Sequence, residues 1–207
     1  MQTAVITADI VNSTRLAKVA YKKLIKNISM ILQEHQHEFF RGDSFQVFVK
    51  SPEDALRILL LTRTAAMKLT ETSLPGADIR ACIGIGNTKL PVKSFQTASG
   101  DVFVLSGRTF DKMAKNERLI IVCDEKNKAV NLGFKVMAQF VDYLFQRLTF
   151  KQAGVVYELL TNRTQIDTAK RLKKSQATIH KHLQSAGWPE IEKLLADYKN
   201  IIPLIEP

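Results

Sequence analysis

Five short apolar runs alternate with segments whose apolar residues recur every three or four positions, and this switching of period constrains the fold class more than any single motif does. Residues 3–9 (TAVITAD) read as a buried strand. Over residues 15–32, Leu16, Val19, Leu24, Ile28, Ile31 and Leu32 follow a helical period. "EFFRGDSFQVFVK" splits into two apolar stretches around Gly42 and Asp43, and an Asp beside a Gly between such runs signals a hairpin. Pro52 suits the first turn of a second helix over residues 53–70, with Ala55, Leu56, Leu59, Leu60 and Ala66 on one side, until "SLPGAD" breaks it. "DIRACIGIG" reads as a strand, "SGDVFVLSGRTFDKMAK" as a helix and "RLIIVCD" as a last strand. Strand, helix, hairpin, helix, strand, helix, strand predicts an α+β fold, a ferredoxin-like (split βαβ) sandwich with helices against one sheet.

Residues 131–148 (NLGFKVMAQFVDYLFQRL) place Met137, Phe140, Val141, Leu144, Phe145 and Leu148 at three- and four-residue steps, an amphipathic helix that must bury that face. It packs on its own domain or forms a dimer seam; a homodimer is expected. At 207 residues the chain has room for one large core and a small second module. The expected division is an α/β body over 1–128, the linking helix over 129–150 and a small all-α domain over 151–207. No apolar run reaches the ~18 to 20 residues of a membrane span, and "MQTAVITADIV" lacks a secretory pattern. The expected location is cytoplasmic, with no membrane partner. Cys82 and Cys123 lie inside apolar runs without CxxC or Cys/His spacing, which reads as two buried thiols rather than a zinc or disulfide framework.

The net charge of +10 favours a polyanionic partner, and half of it lies in residues 161–184, where six basic residues face the single acid Asp167. There Thr164 and Asp167 have capping-box spacing, and Ile166, Ala169 and Leu172 are expected inward on a short helix. After Lys173, Lys174 and the N-cap candidate Ser175, a second helix turns Ile179 and Leu183 inward, with Ala177, Lys181 and Gln184 outward. Thr164, Gln165, Ala169, Leu172, Ser175, Gln176 and Ile179 resemble the C-terminal helix-turn-helix of sigma factors and response-regulator domains, departing at Lys173, where such motifs often have Gly. The resemblance implies double-stranded DNA as partner: Ser175, Gln176, Thr178, Lys181 and Gln184 near base edges, and Arg171, Lys173 and Lys174 at phosphates. The other reading is a helical hairpin with a solvated basic face. His180 and His182 flank the outer face.

Four front segments, "ITADIVNST", "RGDSF", "DIRACIGIG" and "SGDVFVLSGR", resemble in order the catalytic domain of class III nucleotide cyclases, and more closely the SatD-like bacterial proteins. The cyclase resemblance implies that Asp9 and Asp43 hold Mg2+ or Mn2+, hard cations suited to carboxylate oxygens. It also implies that Arg108 meets the phosphate of a nucleotide or phosphate ligand. Against the cyclase pattern, Phe39 stands at the purine-selecting lysine, Thr97 at its acidic or cysteine partner and Val104 at the ribose-orienting asparagine. The expected function is therefore a DNA-binding transcriptional regulator with a degenerate cyclase-like sensor domain, not an active cyclase. The competing expectation is a metal-dependent enzyme acting on a nucleotide or phosphate substrate through Asp9 and Asp43. A third reading of the two aspartates is loop capping. The glycines of "GIGIG" fall within a strand, so they are read as permitting close backbone approach rather than as a dinucleotide fingerprint.

Overall fold

Residues 1–40, 42–69, 76–88, 92, 95 and 101–206 are described by a computed structural model of the chain. Thr97, Gly100 and residues 73–75 of the expected break lie outside these residues. Among the described residues the chain is α+β, with a five-stranded open sheet and eight α-helices. The first half runs β1 (Gln2–Val11), α1 (Lys18–Leu32), β2 (Gln36–Phe40), β3 (Ser44–Val49), α2 (Ala55–Met67), β4 (Asp78–Asn87), α3 (Asp101–Lys112) and β5 (Leu119–Val122). The second half is helical: α4 (Lys128–Phe145), α5 (Phe150–Leu160), α6 (Gln165–Leu172), α7 (Gln176–Ala186) and α8 (Trp188–Ile201). The sheet order is β2-β3-β1-β4-β5, antiparallel except for the β4–β5 pair.

Alternation along the strands divides the core between the two faces of the sheet. Ala4, Ile6, Ala8 and Ile10 of β1, with Phe45, Val47 and Val49 of β3 and Ile79, Ala81, Ile83 and Ile85 of β4, join one large apolar cluster. That cluster continues through Leu24 and Ile28 of α1, Leu56 and Leu59 of α2, Phe134 and Val141 of α4, and on to Ile179, Leu183 and Ile191 of the tail. A small second cluster on the other side holds Val5 and Phe48 with Val102 and Phe103 of α3. Here α3 comes very close to β4: a Cβ on Gly84 would lie 2.8 Å from the Ser106 Cβ and 3.1 Å from the Val102 carbonyl. The strand glycine therefore serves close approach.

Among the expected core positions of α1 and α4, Val19 and Phe140 point outward. Val19 is 80% exposed, because α1 begins only at Lys18 and Val19 lies on its outer first turn; Leu24, Ile28 and Leu32 bury the helix. On α4 the buried face is Phe134, Met137, Ala138, Val141 and Phe145, while Phe140 is 42% exposed. Phe140 sits well round the helix from Phe134 and Phe145, and those two aromatics carry the inner face.

The inner side of α4 also carries Asp142, which helps to seat a fully buried arginine. Arg63 of α2 donates through Nε and Nη2 to both carboxylate oxygens of Asp78 at 3.0 and 2.8 Å, and through Nη1 to Asp142 at 2.8 Å. The second Asp142 oxygen accepts from the backbone N–H groups of Arg118 and Leu119, and Asp78 also accepts from Ile79 N–H. The Phe145 ring lies 4.7 Å from the guanidinium. Burial alone would depress the ionisation range of Arg63, and the two carboxylates reverse this and raise it. Removing the cation leaves two desolvated carboxylates facing each other. Arg63→Met is expected to cost about 3 to 5 kcal/mol in urea unfolding at neutral pH, and a loss below about 1 kcal/mol would show that the triad contributes little.

Candidate functional site

The tail helices are started and stopped by their own side chains. Thr149 and Gln152 form a reciprocal capping box on α5. Thr164 Oγ1 accepts from Asp167 N–H to open α6, and Ser175 Oγ accepts from Thr178 N–H to open α7. Between them Lys173 takes a left-handed conformation (φ 52°, ψ 47°). Its N–H donates to Lys170 O and that of Lys174 to Ala169 O, the paired bonds of a Schellman stop. A lysine thus occupies the backbone position that glycine fills most easily, at a steric cost on the order of 1 kcal/mol.

Ile179, Leu183 and Ala186 bury the inner face of α7, and Gln176, Ala177, His180, Lys181 and Gln184 are exposed on the other. On α6 the inward residues are Thr168 and Ala169, with Leu172 partly buried; Ile166, expected inside, is 51% exposed because Thr168 takes the inward place. The predicted contact residues are not equivalent. Ser175 and Thr178 share a hydroxyl hydrogen bond of 2.8 Å that belongs to the cap. Arg171 is held by Glu158 at 3.1 Å, beside Arg163 at 2.7 Å from the same oxygen. Lys173 and Lys174 are exposed at the turn. The side chains of Gln176, Lys181 and Gln184 project from the following helix and make no hydrogen bond or ion pair with the described residues.

The tail is tied firmly to the sheet side. Arg57 of α2 donates twice to the Leu160 carbonyl, at 3.0 and 2.7 Å, and also to the Asn162 side chain. Lys68 places its ammonium 3.0 Å from the centre of the Tyr157 ring, and burial pushes its ionisation down to about 8 against the pull of Glu158. Tyr198 of α8 donates to the Pro52 carbonyl at 3.0 Å.

At the end of β1, the structure brings Asp9 and Asp43 together. The β1–β3 register sets Asp9 opposite Ser44, and Ile10 N–H donates to the Asp43 carbonyl at 3.0 Å. Asp43 Oδ2 accepts from Ser13 at 2.8 Å, and Tyr21 donates to the Gly42 carbonyl. Asp9 Oδ2 pairs with Arg80 of β4 at 3.0 Å, whereas its Oδ1 is buried with no hydrogen-bond partner among the described residues. Burial raises the Asp9 ionisation above its ordinary 3.8; Arg80 pulls it down and Asp43 pushes it up. Tyr21 is raised too, by burial and by Asp43.

Two carboxylates, one of them with an orphaned oxygen, are donors that a hard divalent cation can use, with Asp9 Oδ2 remaining on Arg80. Among the described residues no group of three or more His, Cys, Asp or Glu side chains could hold a metal ion. Asp43 lines a shallow cavity of about 300 Å³ with Ser13, Thr14, Lys18 and Tyr21. Arg108 does not line it; this arginine faces a separate cavity of about 570 Å³ with Gln2, Asn87, Lys112, Lys126 and Glu206. Phe39 packs against the main core, and Val104 is exposed on α3. Sequence reasoning gave no role to Arg80, Ser13 or Tyr21. Arg80 could have been suspected only from the β1–β4 register, which local sequence does not reveal.

Neither the protein-family models nor the curated proteins contain a match to this chain. No helix among the described residues is long and apolar enough to cross a membrane.

The raised Asp9 carboxyl has a stability consequence. A native acid that holds its proton to higher pH than the unfolded chain favours folding at low pH, and this contribution is lost as pH rises from the ordinary 3.8 through the raised native value. Asp9→Asn is therefore expected to gain stability relative to wild type as pH rises from about 4 to 7. Paired urea titrations test this; a gap between the two proteins that stays constant with pH refutes the burial argument.

Proposed function

We propose that the chain is a DNA-binding transcriptional regulator, with α6 and α7 as a helix-turn-helix resembling that of sigma factors. Its sheet and flanking helices would be a ferredoxin-like, cyclase-like sensor domain resembling the SatD-like proteins. The observation that carries the reading is the outer face of α7. Gln176, Lys181 and Gln184 stand there exposed, directly after a turn carrying Lys173 and Lys174, while Ile179 and Leu183 hold the helix from behind. A helix so placed can enter a major groove with its first turns at base edges, while the turn lysines neutralise phosphates. Arg171, paired with Glu158, contributes less than a free lysine unless it changes partner on binding. The sensor would bias DNA affinity through the α2–α5 contacts, where Arg57 and Lys68 join the body to the tail.

Fluorescence anisotropy with duplex DNA over a salt series tests the reading. If Lys173 and Lys174 each neutralise one phosphate, replacing both flattens the slope of log affinity against log salt by roughly two units, at ~0.9 per phosphate. Lys173→Gly with Lys174→Gln is the suitable pair, because glycine relaxes the left-handed turn. An unchanged slope removes the lysines from the interface, and no duplex binding at low salt removes the function.

A second reading is favoured by one atom, the buried and unpartnered Asp9 Oδ1. Asp9 and Asp43 would hold Mg2+ or Mn2+, which when bound supplies positive charge for a nucleotide or phosphate ligand. Asp9 keeps Arg80 and Asp43 keeps Ser13, so the chain's own residues hold both carboxylates in place. Cyclisation is not proposed: Phe39 faces the core and Val104 has no polar group to orient a ribose. Manganese chloride is expected to raise the melting temperature of wild type and to leave Asp43→Asn unchanged. Metal-dependent product formation from nucleoside triphosphates, lost in Asp43→Asn, would instead make this site enzymatic.

A further inference from the structure

We propose that two copies of this chain pair through the outer face of α4, antiparallel about a two-fold axis, with the groove between α4 and α8 receiving the partner's aromatic residues. A surface helix ordinarily has one apolar stripe. On α4 there are two. Phe134, Ala138, Val141 and Phe145 face inward, whereas Leu132, Val136, Phe140 and Tyr143 lie outward at 64, 59, 42 and 54% exposure. At about 100° per residue these four fall within roughly 80° of arc, a continuous strip rather than scattered side chains.

Leu204, 65% exposed, continues the strip across the groove, a cavity of about 460 Å³ whose lining includes Gly133, Val136, Phe140, Leu194, Asp197 and Leu204. The five exposed side chains present roughly 500 to 600 Å² of apolar surface, at the upper end for the largest patch on a typical monomer. They would supply most of the roughly 800 Å² per partner that a standard interface buries.

A second copy fits because the patch carries both a hole and a knob. A Cβ on Gly133 would meet nothing within 4 Å, so nothing among the described residues requires glycine in the middle of this helix, where it is a poor former. It leaves the groove floor open. Ten residues on, about 15 Å along the axis, Tyr143 stacks on Phe140 with ring centroids 6.3 Å apart and planes within 9°. An antiparallel copy would set its own Tyr143 against Gly133 and its Phe140 against Val136, and the symmetry returns the same contacts in reverse. The strip's own side chains are uncharged, and opposite charges flank it: the Arg147 guanidinium lies 5.1 Å from the centre of the Tyr143 ring, and Asp197 lines the groove. The residues of α6 and α7 take no part, and the pairing holds whether or not the chain binds DNA.

Sedimentation equilibrium of the full chain over about 1 to 100 µM tests the pairing. Wild type is expected at twice 23.3 kDa at the upper end of that range. Val136→Lys places a charge on an exposed position, and Gly133→Leu fills the groove while improving helix propensity; each should weaken association by about tenfold or more. Gly133→Leu should melt at or above the wild-type temperature, which separates lost pairing from lost folding. A wild-type chain that is monomeric throughout, a mass that grows beyond two copies, or either variant with an unchanged association constant overturns the proposal.

Discussion

The guanidinium of Arg63 is the point on which the architecture turns. It is fully buried in α2 and bound to the first residue of β4 and to α4, and the same α4 carboxylate collects the N–H groups at the start of β5. Four elements distant in sequence are thereby joined by one charge system. Both oxygens of Asp142 and both of Asp78 are bonded, so the desolvation of three charged groups is met by hydrogen bonds instead of being left open. Apolar packing would tolerate sliding of α4 over the sheet. Asp142 does not, because one of its oxygens takes Nη1 of an arginine fixed by its bidentate hold on Asp78 and the other takes the N–H groups of Arg118 and Leu119.

Held in that register, α4 can serve two surfaces at once. Its inner aromatics close the sheet core, and its outer ones stand beside α8. The helices that follow are drawn onto α2 through Arg57 and Lys68 and onto the chain before α2 through Tyr198. The apolar cluster therefore runs without interruption from β1 to α8. An α7 anchored by Ile179 and Leu183 to such a scaffold has little freedom to turn its polar face inward, and this gives that face its fixed outward aspect.

Much of this was legible locally. Element order follows from the change of period between strand and helix, and the caps at Thr164 and Ser175 follow from hydroxyls three residues before the N–H groups they accept from. The Gly42-Asp43 turn was legible too, but that it lies beside Asp9 was implied only by the cyclase resemblance, because the β1–β3 register that sets Asp9 opposite Ser44 joins segments far apart in the chain. Ile166 and Phe140 were not legible. Each is apolar at a helical step, and periodicity cannot tell which of two neighbouring apolar arcs will face the core. For α6 a threonine took the inward place, and for α4 Phe134 and Phe145 did.

The sequence alone determined what short-range chemistry decides: the α+β order, the caps at Thr164 and Ser175, the concentration of positive charge near residues 161–184 and the turn that carries Asp43. Tertiary structure decided which partner each charge received. Asp9 met Arg80 across a strand pair, Arg171 met Glu158, Arg63 met Asp78 and Asp142, and Arg108 faced a different cavity from Asp43. The physical reason is reach: caps and periods act over three or four residues of chain, whereas an ion pair acts over a few ångströms of space between segments that only the completed fold brings together.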